Sequence, residues 1–63
     1  MKLIQQLHEA ANRLSYYNAA EGDWSRERDA RGRAQAEYYR IRKEVEDAGI
    51  DVSAELAGKG YLL

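Results

Sequence analysis

The chain has 63 residues, no cysteine, no proline, one histidine and a formal net charge of -1. These counts exclude a disulfide framework, a thiolate metal site and a cysteine nucleophile, and they leave no overall field that would name a nucleic acid or a membrane as partner. Charged residues make up 33% of the sequence and the mean hydropathy is -0.79. No apolar run approaches a membrane span, and Met1-Lys2-Leu3-Ile4 turns polar too soon for a signal peptide, so a cytoplasmic protein is expected.

Residues 2–20 read as one helix. Leu3, Leu7, Ala10, Leu14 and Tyr17 step by four and three, the spacing of a heptad seam, and Ile4 and Ala11 widen the stripe. Glu21-Gly22-Asp23 breaks the pattern, with Gly22 suited to end a helix and Asp23 to cap the next. Residues 24–48 read as a second helix. Its seam of Ala34, Tyr38, Ile41, Val45 and Ala48 is apolar in the C-terminal half and, apart from Trp24, polar in the N-terminal half. Gly32 falls inside this helix at a cost of about 1 kcal/mol relative to alanine, which implies a bend or the close approach of another backbone.

Gly49 followed by Ile50, with Val45 one turn back, spells a Schellman ending. Asp51 or Ser53 then caps a short helix over 53–57, and Gly58-Lys59-Gly60 loosens the chain before Tyr61-Leu62-Leu63. The expected fold is all-α: one domain over 1–63, built as an antiparallel helical hairpin with a short C-terminal helical segment. Pairing from the turn places Leu14 near Arg31, Ala10 near Ala34, Leu7 near Tyr38 and Leu3 near Ile41. The longer second helix leaves Val45 and Ala48 overhanging, to be covered by the tail or by a second hairpin. A chain of this size buries only roughly 60% of its surface, and its core is thin. A homodimeric bundle using the seam of Leu3, Leu7, Leu14, Tyr17, Ala34, Tyr38, Ile41 and Val45 is therefore expected.

Charge is unevenly distributed. Arg26 to Lys43 holds seven basic and three acidic residues, whereas Glu44 to Glu55 holds five acidic and no basic ones. Asp29–Arg33, Arg33–Glu37, Arg40–Glu44, Arg42–Glu46 and Lys43–Asp47 all stand at i,i+4, so a salt-bridged solvent face explains most of this. Glu44, Glu46 and Asp47 run against the helix dipole, which makes the acidic end a candidate for a basic patch on a partner. Arg26, Arg33 and Arg40 recur every seven residues and form a ladder suited to phosphates, with Glu37 and Glu44 beside it. The pI of about 5.7 argues against a dedicated nucleic-acid domain. The seam points Tyr17 and Tyr38 inward and Tyr16 and Tyr39 outward. With Trp24 at the turn, the outward tyrosines are candidate contact residues.

No catalytic, cofactor or metal site is found. His8 lies off the seam and reads as a solvated side chain; no serine has a histidine at a recognisable spacing. Gly58-Lys59-Gly60 lacks the strand and helix of a phosphate loop. The first helix carries too few cations to lie on a membrane. The expected function is non-catalytic: a small protein that binds and blocks, or adapts, a larger macromolecule. Its contact candidates are Tyr16, Trp24, Arg26, Arg33, Tyr39, Arg40, Glu44, Glu46 and Asp47. Compact, Ala/Arg-rich, cysteine-free chains of this size are common among accessory proteins of phages and mobile elements, including anti-CRISPR inhibitors of host defence. Two other readings remain: a nucleic-acid regulator, and a structural bundle subunit. Plasmid copy-number repressors of the Rop type use a dimeric helical hairpin of similar length on RNA; the parallel is architectural and no residues carry over.

Overall fold

The computed structural model describes the backbone of residues 2–20 and 25–63, and the side chains of 2–20 and 28–63. Helix α1 spans Lys2–Ala19, α2 spans Ser25–Asp47 and α3 spans Val52–Leu56. The two long helices pack against each other as a hairpin, and among the described residues there is no strand. The readings at Glu21, Gly22, Asp23 and Trp24 lie outside the described residues.

The core follows the three-and-four spacing. Leu7, Ala10, Ala11 and Leu14 of α1 are buried against Ala34, Tyr38, Ile41 and Val45 of α2, with Val52 of α3. Leu3, Ile4 and Tyr17 lie at the ends of the stripe and are only partly buried. Small residues (Ala10, Ala11, Ala34) alternate with large ones (Leu7, Leu14, Tyr38), which lets the helix backbones approach while the large side chains fill the remaining space. Burial of Tyr38 pushes its phenol above the usual value of 10, with the neighbouring Arg42 guanidinium pulling the other way.

One detail of the pairing differs from the reading by turn length. That reading sets Leu14 near Arg31, yet its neighbour Arg13 donates to Glu37 Oε2 at 2.8 Å across the hairpin. Helical side chains lean toward the N-terminus of their own helix. In an antiparallel pair, the tips that meet therefore come from residues farther along each chain.

The α2 ending is built as the sequence implies. Gly49 takes φ of 84°, its N–H donates to the Glu46 carbonyl at 2.9 Å, and the Ile50 N–H donates to the Val45 carbonyl at 3.2 Å. Ile50 packs on the core beside Val45. Any side chain at position 49 would meet open space but a strained backbone. Gly49→Ala is therefore expected to lower the unfolding free energy by about 1–2 kcal/mol, measured by urea denaturation.

Asp51 caps α3 by accepting from the Ala54 N–H at 3.3 Å, so the helix starts one residue earlier than the expected 53–57. The chain then turns at Gly58 and Gly60, both at positive φ, and lies along α1. The Leu62 N–H donates to Ser15 Oγ at 2.9 Å, and Asn18 Nδ2 donates to the Leu62 carbonyl at 2.7 Å. Ile50, Val52, Leu56 and Tyr61 thus cover the α2 overhang, leaving Val45 at 0% exposure while Ala48 remains exposed. The cover expected from either the tail or a second hairpin comes from the chain's own tail.

Gly32 is exposed, and a Cβ built there would meet nothing within 4 Å. Close approach of another part of this chain is therefore not its role. α2 runs through it without interruption.

Candidate interaction surface

The flank of the hairpin away from the tail gathers most of the described contact candidates. Gln6, Glu9 and Arg13 of α1 face Glu37, Arg40, Ile41 and Glu44 of α2 across one cleft. The next cleft along is lined by Arg13, Tyr17, Ala30, Arg33, Ala34 and Glu37. A third, around α1, is lined by Glu9, Asn12, Arg13, Tyr16 and Tyr17. Arg13 borders all three, which makes the flank continuous. The seven-residue repeat of the arginines and the seam spacing of α1 produce this arrangement, because both keep side chains on one side of their helix.

The electrostatics depend on where Glu37 goes. The sequence offers it to Arg33 at i,i+4, but it pairs with Arg13 instead. Among the described residues, no carboxylate lies within 4.0 Å of Arg33 or Arg40. The flank presents Arg13, Arg33 and Arg40 beside Glu9, Glu37 and Glu44, a mixed field with no net sign. A run of phosphates needs a basic stripe, and here carboxylates interrupt it. The Arg26 side chain lies outside the described residues.

Tyr16 is 70% exposed and stands edge-on to Tyr17, with ring centroids 5.4 Å apart. Tyr39 is 49% exposed and rests on Tyr38 at 5.5 Å, on α2 away from the Arg33–Arg40 flank. The two outward tyrosines therefore belong to different patches.

The acidic end is dispersed as well. Glu46 accepts from Arg42 Nε at 3.0 Å, Glu44 lines the flank, and Asp47 is exposed at the end of α2. The last turn of α2 holds no base and the first turn of α1 holds no acid. The antiparallel hairpin sets these two ends side by side, so the positive end of the α1 dipole offsets part of the cost of those carboxylates.

His8 is not the solvated side chain that its sequence position implies. It is half-buried between α3 and the tail, with Nε2 at 3.2 Å from Glu55 Oε1 and Nδ1 at 3.4 Å from the Tyr61 hydroxyl. A carboxylate only accepts, so Nε2 donates its hydrogen to Glu55. The sequence misses this cluster because its members stand 47 and 53 residues apart. It fastens the tail to α1. The sequence equally misses Gln6, Glu9, Asn12 and Arg13; the one available signal is their recurrence along one edge of the α1 seam.

Among the described residues, no helix is long and apolar enough to cross a membrane, and no group of three potential metal ligands occurs. No protein-family model, curated protein or solved structure matches the chain.

Proposed function

We propose that this is a small non-catalytic binding protein that acts in the cytoplasm by occupying a surface of a larger protein. One observation carries the reading. On the flank, Arg33 and Arg40 have no carboxylate partner among the described residues; Arg33 shares a cleft with Tyr17, and Tyr17 shares the next cleft with the exposed Tyr16. Arginine and tyrosine are enriched among the residues that dominate protein interfaces, and tyrosine supplies large contact area at low entropic cost. The alternating carboxylates favour a protein surface of mixed charge over a phosphate backbone. In this reading the short chain inhibits or adapts by steric exclusion. A host-defence complex of the kind blocked by phage inhibitors is the first partner to test.

The test is capture of partners by the tagged chain from nuclease-treated lysate, compared with Arg33→Glu/Arg40→Glu and with Tyr16→Ala. A discrete protein retained by the parent chain is expected to be lost in the double arginine variant and weakened at least about tenfold by Tyr16→Ala. Retention of nucleic acid instead, shed as salt rises and indifferent to Tyr16→Ala, would replace this reading with a phosphate-binding one.

A further inference from the structure

The seam expected to join two copies is used up inside the chain: Leu7, Leu14, Ala34, Tyr38, Ile41 and Val45 are all buried by α1, α2 and the tail. A second copy therefore has to meet a different face. The rear of α2 is such a face. Asp29, Gly32, Ala36, Tyr39 and Lys43 step by three and four, all are exposed, and at about 100° per residue they fall on an arc opposite the buried stripe.

The charges on this face are arranged with a symmetry. Asp29 and Lys43 lie equally far on either side of Ala36. Their i,i+4 partners in the sequence are Arg33 and Asp47, but among the described residues neither pair forms. A parallel pair of α2 helices would set Asp29 on Asp29 and Lys43 on Lys43. An antiparallel pair with its two-fold axis at Ala36 sets each Asp29 on the second copy's Lys43, a self-complementary contact. The same operation brings Glu46 toward the second copy's Arg28, because these two share one edge of the stripe. It also brings Tyr39, half-exposed and held against Tyr38 at 5.5 Å, level with the second copy's Gly32–Ala36 segment. There a Cβ at Gly32 would meet nothing within 4 Å, so the ring has room. Among the described residues nothing crowds a Cβ at position 32; beside a second copy's aromatic ring, the missing side chain has a use.

We propose that the rear face of α2 is a self-association surface on which a second copy docks antiparallel, about a two-fold axis at Ala36. Arg40 and Arg33 stand at the edge of this face, so the substitutions below leave both arginines in place and test self-association apart from the binding function above.

Two experiments test it. In sedimentation over a concentration series, Asp29→Lys and Lys43→Asp are each expected to raise the dimer dissociation constant at least about tenfold, since each turns two opposite-charge contacts into like-charge ones. The combined Asp29→Lys/Lys43→Asp chain restores the pairing with signs exchanged and is expected to return within about threefold of the parent. Both positions are exposed, so circular dichroism should show unchanged helicity. The chain has no cysteine, so Ala36→Cys, which meets itself on the axis, should form a disulfide-linked dimer on mild oxidation, and Tyr16→Cys should not. A parent chain that remains monomeric up to about 1 mM, reversals that do not rescue each other, or equal cross-linking at positions 16 and 36 would overturn the proposal.

Discussion

Leu7→Ala is expected to lower the unfolding free energy by about 2–5 kcal/mol. Leu7 has 0% exposure and sits where α1, α2 and the tail converge, between Ala10 and Ala11 of its own helix and the Tyr38, Ile41 and Val45 stripe. The neighbouring alanines cannot move in to fill a lost isobutyl group, and the helices cannot close without displacing Tyr38. Most of the cavity therefore persists, and the cost falls toward the upper part of the range. Domains are stabilised by roughly 0.05–0.15 kcal/mol per residue, so a chain this short has a margin of similar size to the loss. The variant should be largely unfolded or close to it in the absence of denaturant. Urea denaturation followed by helicity checks this, with Leu62→Ala as a comparison. Leu62 is 55% exposed and should change stability by no more than about 0.5 kcal/mol. A loss below about 1 kcal/mol for Leu7→Ala would mean that the helices do not pack through this residue.

Leu7 also illustrates what the sequence discloses. Its place in a four-three-four-three series with Leu3, Ala10, Leu14 and Tyr17 is enough to identify the buried face of α1, because helical periodicity is a property of neighbouring residues. The same holds for Ala34, Tyr38, Ile41 and Val45, for the outward turn of Tyr16 and Tyr39, and for the Gly49-Ile50 ending, whose signal is confined to residues 45–50. His8, Ser15 and Asn18 mark the opposite case. His8 reads as solvent-facing and nothing near Ser15 or Asn18 in sequence gives them a role, yet all three are engaged by Glu55, Tyr61 and Leu62. A tail held by single polar contacts from irregular chain leaves no periodic trace. Glu37 shows a third limit. Two arginines compete for it, Arg33 at i,i+4 and Arg13 across the hairpin, and only the packing geometry decides between them. The flank's mixed charge, and the argument from it to a protein partner, therefore become readable only once the helices are in register.

The separate attachment of the tail leads to the second large effect. Val52→Asp places a carboxylate at a position only 4% exposed, against the rest of the core, and the one basic side chain lining the same cleft, Arg42, is already held by Glu46. Leaving that charge buried would cost several kcal/mol or more. The segment has an escape that Leu7 lacks. The chain from Ile50 onward touches the hairpin through Ile50, Val52, Leu56, Tyr61 and a few exposed or part-buried hydrogen bonds, so it can swing away and hydrate the new carboxylate. The loss is then capped at the free energy with which this segment docks, and it appears as local opening. Hydrogen exchange should show the amides of Ala54, Glu55 and Leu62 reaching rates close to those of unstructured chain. Amides in the middle of α1 and α2 should stay protected, with most of the helicity retained. Val52→Ala, which adds no charge, should produce a weaker form of the same pattern. If Val52→Asp instead abolished protection in α1 and α2 together, the tail would belong to the single cooperative unit. The hairpin would then depend on its cover over Val45, as a core this thin requires when no second copy shares the burial.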